Sequence, residues 1–393
     1  MQKKLIVVAL TAAIALPVSA FADNGNFTFY GKADVSYDSI ITGDGTTTAN
    51  GATAVTGVSK RVVSSNVSKF GFKGSEDLGD GLAAIWQIEQ QINIDNSSNS
   101  CAAVAAGAAA PACSSNNGIF ATRNTFAGLK SETLGTVLMG RHDTPYKLST
   151  RKLDVFGDSI ADNRALLGYK SANGGFELRP TDVLAYISPA FVGITAAVAT
   201  VNLSEGNTTS GPTTAQNQKQ NSALSLAVMY DAAPFYGSVA YESHKLEAVP
   251  ADGKKESAAR LGFGFTQDAF SVSVVYERTT DNLGAAASNS LGHTAAYVGG
   301  KYNIGNDAVK LAYGKASVLG SGAVQVADSG ATQVSVGYDH GFSKRTKIYA
   351  IYTKITNGKG INYGFSQSTA ASSSNSGFGT TPSALSLGLQ HNF

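Results

Sequence analysis

The last eleven residues of the chain, 383–393 (SALSLGLQHNF), decide its fold class. Apolar residues alternate with small or polar ones: Leu385, Leu387, Leu389, His391 and Phe393 fall on one face, and Ser386, Gly388, Gln390 and Asn392 on the other. Because successive side chains of a strand point to opposite faces, this alternation predicts a β-strand with one apolar and one polar face.

The same period of two recurs along the chain and predicts sixteen strands. They are expected at 27–40, 66–78, 82–94, 120–132, 135–143, 182–188, 192–203, 222–231, 235–246, 258–267, 270–280, 293–304, 307–319, 331–340, 345–356 and 383–393. Their connections alternate between short turns and long polar stretches such as 42–58, 96–117 and 357–381. This alternation predicts antiparallel hairpins with two unlike ends.

Composition excludes several classes of protein. The chain has 393 residues, and its charged fraction of 15% lies well below the usual value of about 25%. Lys and Arg total 30 against 28 Asp and Glu, so no basic surplus exists to displace the counterions of a nucleic acid. An apolar fraction of 43% with near-zero net charge argues against intrinsic disorder.

The N-terminus predicts export from the cytoplasm. Lys3 and Lys4 precede an apolar stretch at 5–16, and small residues follow it, with Ala20 and Ala22 in a cleavable pattern. This is the pattern of a secretory signal peptide over 1–22, cut after Ala22 or, as the alternative, after Ala20. The apolar stretch is too short to span a bilayer. Residues 23–393 would then form one domain.

The mature chain contains no run of 18 apolar residues, so an exported product would be soluble or a membrane barrel. A soluble sandwich of sixteen strands would need a larger apolar share to fill a common core. A large barrel has a polar lumen and an apolar outer band, which gives middling hydropathy. We therefore predict an all-β fold, a sixteen-stranded antiparallel transmembrane β-barrel with long extracellular loops and short periplasmic turns.

Two blocks and the last residue carry a resemblance to a known family. The first block is 68–82 (SKFGFKGSEDLGDGL), and the second is 123–129 (RNTFAGL) followed by Gly135-Thr136-Val137 and Gly140-Arg141. With the terminal Phe393, they resemble the general porins of Gram-negative outer membranes, most of all the neisserial and betaproteobacterial branch. The resemblance covers most of the mature chain.

The resemblance implies a homotrimer of barrels in the outer membrane, in contact with the lipid bilayer and lipopolysaccharide. It implies that the insertion machinery recognises Phe393 as an assembly signal, and that the third long loop folds into each pore. The chain departs from the family at Lys69-Phe70, where Arg-Trp is common. It also lacks the Pro-Glu-Phe-Gly-Gly signature of enterobacterial third loops. Both departures concern pore selectivity rather than assembly.

The third loop, 143–164, also has a distinctive sequence of its own. It lacks Ser/Thr/Gly tracts and carries apolar residues that can pack against an inner wall: Tyr146, Leu148, Leu153, Val155, Phe156 and Ile160. Its four aspartates are balanced by four basic residues. A solvated surface loop is the alternative interpretation.

Charged residues of the wall and the third loop are the candidates for a pore constriction. The candidates are Lys32, Lys69, Lys73, Arg123 and Arg141 on the wall, and Asp154, Asp158 and Asp162 on the loop. Arg141 shares its parity with Val137 and Met139, so a bulge near Gly140 would be needed to turn it inward. Basic wall residues outnumber the acidic Asp34 and Glu89, which predicts a weak anion preference.

No constellation in the sequence predicts catalysis. The five histidines are scattered without metal-ligand spacing, so we expect no metal site and no cofactor. No Gly-x-Ser-x-Gly elbow, phosphate loop or dinucleotide fingerprint occurs. Cys101 and Cys113 bracket an Ala-rich stretch, and two such cysteines in an oxidising compartment usually form a disulfide. Two free thiols are the alternative.

The predicted function is a water-filled channel for passive diffusion of small hydrophilic solutes and ions, selecting by size and charge at a constriction. Two other functions stay open at this point. One is a substrate-specific outer-membrane channel, and the other is a surface adhesin or receptor whose long loops bind a partner.

Overall fold

The computed structural model describes residues 26–95, 121–168, 175–203, 222–246, 254–281, 292–321, 324–366 and 377–393. The predicted signal peptide at 1–22 and the predicted Cys101–Cys113 disulfide lie outside these residues. No helix in the described ranges is long and apolar enough to cross a membrane.

One antiparallel sheet dominates the described chain. Its strands are β1 (Asn26–Ile41), β2 (Ser59–Ser65 and Lys69–Gly79), β3 (Leu82–Gln91), β4 (Thr125–Ser131), β5 (Gly135–Arg141), β6 (Val183–Ile187), β7 (Ile194–Asn202), β8 (Ser222–Ala232), β9 (Phe235–Leu246), β10 (Lys254–Gln267), β11 (Phe270–Asp281), β12 (Thr294–Ile304), β13 (Asp307–Ala316), β14 (Ala331–Gly341), β15 (Thr346–Asn357) and β16 (Ser383–Asn392). Two short ribbons, Gly45–Thr46 with Ala54–Val55 and Gly320–Ser321 with Val324–Gln325, stand apart from it.

The sheet closes on itself. Each strand pairs with the next in chain order, and β16 pairs with β1 from Lys32↔Asn392 to Ile41↔Ser383. The two parts of β2 both pair with β1 and form one strand, so seventeen sheet segments make sixteen strands. The predicted sixteen-stranded antiparallel barrel is confirmed.

Strand β2 begins earlier than its sequence suggests. It was expected from residue 66, but pairing with β1 already starts at Ser59 and is interrupted at residues 66–68. Val67 there has a φ of +55°. The Ser68 hydroxyl accepts from the Asp34 amide at 3.0 Å and donates to the Asp34 carbonyl at 2.9 Å. The Asn66 amide also donates to the Asp34 carbonyl, at 2.8 Å. The Ser68 side chain thus supplements a single backbone bond across the break, which the alternation pattern does not reveal.

The wall has one apolar and one polar face. In β16, Leu385, Leu387 and Leu389 are exposed whereas Ser386 is buried, as the period of two predicts. The other strands repeat this pattern, so the exposed face is apolar over the whole barrel, and it suits contact with lipid. We call this the outer face and the opposite one the inner face.

A folded segment, residues 143–168, packs against the inner face. It contains α1 (Pro145–Arg151) and one turn of 3₁₀-helix (Asn163–Ala165). Thr144 caps α1 by accepting from the Lys147 amide, and Pro145 occupies its first turn, where a missing N–H has no consequence. Tyr146, Phe156 and Ile160 are almost fully buried. The apolar residues noted in the sequence therefore form a core with the wall.

Candidate pore constriction

Both ends of the 143–168 segment are bound by one wall carboxylate. Glu277 of β11 accepts from the Tyr146 hydroxyl at 2.7 Å and from the Gly168 amide at 2.8 Å, one bond to each oxygen. Arg260 of β10 forms an ion pair with Glu277. It also donates to Glu177 at 2.6 Å. Arg260 and Glu277 are both buried, and the ion pair between them offsets the cost of removing two charges from water.

The middle of the segment is attached to the same side of the barrel. The Ser273 hydroxyl donates to the Leu153 carbonyl at 2.6 Å, and the Tyr297 hydroxyl donates to Asp154 at 3.0 Å. The Tyr236 hydroxyl donates to the Ser149 carbonyl at 2.5 Å. Strands β9, β11 and β12 thus hold backbone and side-chain groups between residues 149 and 154.

Wall glycines give this segment room. A Cβ at Gly262 would lie 2.7 Å from a Leu153 methyl carbon, and a Cβ at Gly337 would lie 2.6 Å from the Phe156 ring. Both distances are too short for real contacts, so the segment approaches the wall as closely as it does because these positions lack a side chain.

Two of the three predicted loop acids are buried inside the segment. The Asp162 carboxylate accepts from Arg164 Nε at 2.8 Å, from the Asp158 amide at 2.8 Å and from Arg151 at 3.0 Å. Asp154 accepts from the Phe156 and Asn163 amides, each at 2.9 Å. These carboxylates therefore shape the segment and do not face a passing solute.

The surroundings of Asp154 and Asp162 determine the direction in which the pKa of each carboxyl is shifted. Burial, and next the negative charge of Asp162, raise the pKa of Asp154 to about 6. Burial alone would raise the pKa of Asp162 too, but Arg151 and Arg164 hold it well below its ordinary value. The two carboxylates thus have opposite shifts within one network.

Asp158 is the loop acid that remains partly exposed. One third of its side chain is accessible, and it pairs with Arg164 at 2.9 Å and with Lys32 of β1 at 3.7 Å. Burial opposes ionisation, but Lys32 and then Arg164 lower its pKa below the ordinary value. The segment therefore touches β1 at Asp158. Its other polar attachments to strands run from β8, where Ser225 accepts from the Tyr146 amide, to β14, where Gln333 donates to the Ala161 carbonyl.

The inner face near β1 carries paired charges of both signs, among them Lys32 with Asp34 at 3.4 Å. Lys69 and Arg123 share one carboxylate, Glu89, at 3.2 Å and 2.5 Å. The Tyr30 hydroxyl donates to the same carboxylate at 3.0 Å. These contacts bring Lys69 and Arg123 together, and they place Glu89 on the same face.

Lys73 and Arg141 lie apart from this group. Lys73 is exposed, with its ammonium 5.5 Å from the centre of the Tyr30 ring. Arg141 donates to the Arg179 carbonyl at 3.3 Å. The β4–β5 ladder keeps its register through Thr125↔Arg141 and shows no bulge, but Gly140 has a φ of +134°. Among the predicted residues, the structure groups Lys32 with Asp158, and Lys69 with Arg123.

Sequence reasoning missed several residues that position the segment. Arg179 and Lys147 both pair with Asp143, at 3.0 Å and 2.8 Å. Arg260 and Glu277 were also missed, although both are charged residues in the middle of alternating strands. A mid-strand charge on the inner face is the signal that could have found them.

No metal site accompanies these groups: in the described ranges, no cluster of three or more His, Cys, Asp or Glu side chains could hold an ion. The chemistry that the arrangement offers is electrostatic, with fixed charges of both signs facing an aqueous space.

Comparison with known proteins places this geometry in context. The sequence model of the Gram-negative porin family matches residues 9–360. The chain is 30% identical over 369 residues to the major outer membrane protein P.IB of Neisseria meningitidis serogroup B, serotype 15. That alignment covers 92% of this chain and 96% of the relative.

Two solved structures share the fold at low identity. The anion-selective porin from Comamonas acidovorans superimposes with a TM-score of 0.67 at 20% identity, covering 94% of this chain and 100% of the other. The trimer form of OmpT from Vibrio cholerae gives a TM-score of 0.59 at 13% identity, with coverages of 94% and 100%.

Proposed function

The chain belongs to the Gram-negative porin family, and we propose that its 143–168 segment narrows the channel where Asp158 meets Lys32. The protein is an outer-membrane β-barrel that forms a passive channel, and it is not an enzyme. The observation that carries the proposal is the 3.7 Å contact between Asp158 and Lys32, because it extends the polar contacts of the segment from β8–β14 to β1.

The charges at this position favour weak anion preference. Lys32, Lys69 and Arg123 pair with Asp34, Asp158 and Glu89, of which Asp34 and Glu89 are buried, while Asp154 and Asp162 are withdrawn into the segment. Charges beside a narrow aqueous passage are less screened than on an open surface, because the low-dielectric walls focus the field. The same fold occurs in a porin described as anion-selective, which agrees with this direction.

Four further proposals complete the functional assignment. The protein is exported by a signal peptide at 1–22 and cut after Ala22. Cys101 and Cys113 form a disulfide in a peripheral loop. Phe393 acts as the assembly signal. The barrel works as a homotrimer, which the trimer form of OmpT supports by its similar fold.

Reversal potentials in a planar bilayer under a KCl gradient test the constriction. We expect a weak anion preference in the wild type. Replacing Lys32 and Arg123 with Gln should shift the reversal potential towards cations, and Asp158→Asn should shift it towards anions. Lys354→Gln is the control, because Lys354 is an exposed residue of the outer face of β15. A cation-selective wild type, or no shift in the Lys32 variant, would place the constriction elsewhere.

A further inference from the structure

A second group of basic residues lies on the inner face at the short-turn end of β12–β15. We propose that this group binds small carboxylate or phosphate solutes, and so forms an anion station at the short-turn end of the channel. The proposal rests on the channel function, since solutes must reach the inner face through the barrel.

Two of the three lysines in this group share a single carboxylate, and the third has none among the described residues. Asp339 of β14 pairs with Lys310 of β13 at 2.9 Å and with Lys347 of β15 at 3.0 Å. Lys301 of β12 stands directly opposite Lys310 in the ladder and makes no ion pair within the described part of the chain. Like charges opposite each other are destabilising, and a bound anion would relieve this repulsion.

A cavity of about 260 Å³ opens beside these lysines. Its lining includes Lys301 and Lys347 and, from the β14–β15 turn, Lys344 and Arg345. The two turn residues are exposed and form no ion pair in the ranges that the structure describes. The acids of the lining are Asp339, already shared by two lysines, and Asp307, which contacts His340 at 2.6 Å. Positive charge is therefore in excess around the cavity.

The chemistry of the lining suits an acceptor-only ligand. Ammonium and guanidinium groups are donors without acceptors, and carboxylate and phosphate oxygens are the partners with which they form their strongest hydrogen bonds. The volume admits a small anion such as inorganic phosphate or a short dicarboxylate. Lys301 also lines a second cavity of about 530 Å³ beside residues 152–155 of the segment, so it stands between two spaces along the wall.

The geometry favours a solute over a lipid headgroup as the source of the anion. Lys310 faces the Phe156 ring of the segment, with its ammonium 4.9 Å from the ring centre, which places its neighbour Lys301 on the inner face. Lys347 lies 5.9 Å from the ring centre of Tyr349, a buried residue of the same face. Lipid contacts the outer face, where these side chains do not lie.

Phosphate block of chloride current tests the site. The full-length protein is reconstituted in bilayers of neutral phosphatidylcholine, and KCl conductance is measured while inorganic phosphate is added at constant ionic strength. We expect a saturable decrease in the wild type. In the Lys301→Gln, Lys347→Gln double variant, the half-blocking phosphate concentration should rise by about tenfold, since two charged contacts are lost.

A matched variant removes the same amount of charge from the outer face of β13 and β15. Lys315→Gln with Lys354→Gln alters exposed residues of β13 and β15 and should leave the half-blocking concentration unchanged. An unchanged half-blocking concentration in the inner-face variant would overturn the proposal, as would a wild type without saturable block. Phosphate block that appears only after anionic lipid is added would assign the site to headgroups and also refute it. Failure of the channel function itself would be recognised separately, as absence of KCl conductance.

Discussion

At the scale of single residues, three of the four aspartates of the third loop show how burial determines what a charged side chain does. Asp154, Asp158 and Asp162 are spaced evenly in the sequence, and neither residue type nor spacing distinguishes them. In the folded segment, Asp154 and Asp162 bind its own amides and arginines, and Asp158 alone stays partly exposed. The fold of the segment, rather than the residue type, gives two of them a structural role and leaves the third as the proposed selecting charge.

Replacing Asp162 and replacing Asp158 should therefore have different effects. Asp162→Asn removes the partner of Arg151 and Arg164, and breaking a buried ion pair of this kind destabilises by about 3 kcal/mol. We expect a loosened segment and a noisier single-channel current. Asp158→Asn is the comparison variant, with a quiet current and altered selectivity only. Equal noise in both variants would refute this division.

The raised pKa of Asp154 predicts a pH effect with a defined sign. A carboxyl whose pKa rises from 3.8 to about 6 on folding stabilises the folded segment most below about pH 4. That stabilisation is lost as the pH rises through 6. Single-channel recordings should then show fewer brief opening and closing events at pH 4.5 than at pH 7.5.

The Asp154→Asn variant should show little change in event frequency over that range. Asp158 and Asp162 are suitable internal controls, because their lowered pKa values keep them charged until lower pH. A wild type whose event frequency rises on acidification between pH 6 and 4.5 would contradict the assignment.

At the scale of elements, the strands could be predicted from the sequence and the segment could not. The alternation in β16 depends only on which side chains face lipid and which face the lumen, so it is visible in residues 383–393 alone. The path of 143–168 depends on partners more than a hundred residues away, such as Glu277 for Tyr146 and Tyr297 for Asp154. No local pattern encodes these contacts, although the apolar residues of the segment correctly indicated packing.

Gly262 of β10 tests the fit between segment and wall. A side chain there would meet Leu153, Thr150 and Ser238, each within 3 Å of the new Cβ. Overpacking of this kind costs about 1–3 kcal/mol, so Gly262→Val should displace the segment and increase the conductance while the barrel still folds. Gly237→Val is the control, since a Cβ at Gly237 meets no atom within 4 Å. Equal conductance in the two variants would show that the segment tolerates the clash.

At the scale of the whole molecule, closure of the barrel depends on its two terminal strands. Gly31 and Phe393 exchange backbone hydrogen bonds of 2.8 and 3.0 Å. The Phe393 ring lies against Gly31 and is 5.7 Å from the Phe29 ring, centre to centre. The last residue therefore extends the seam between β16 and β1. The sequence predicted a closed barrel because each of the sixteen alternating strands has an apolar face. So much apolar surface can be accommodated only where it contacts lipid on the outside of a barrel.

Deleting Phe393 should sharply lower the amount of heat-modifiable, folded protein in outer membranes. The deletion removes both seam hydrogen bonds and the aromatic contact with Phe29. Phe393→Tyr keeps the ring and the backbone bonds and should assemble nearly as the wild type does. Undiminished folding of the deletion variant, measured by gel mobility before and after heating, would show that the seam closes without this residue.

The attachment of Tyr146 and Gly168 to the two oxygens of Glu277 has a consequence for evolution and engineering. A stretch whose two ends meet at one carboxylate enters and leaves the inner face at one fixed point. The wall groups that hold its middle, such as the hydroxyls of Ser273 and Tyr297, are side chains and take no part in strand pairing. Residues of the segment and their wall partners can therefore change together, and with them the dimensions of the proposed constriction, while the barrel itself is retained.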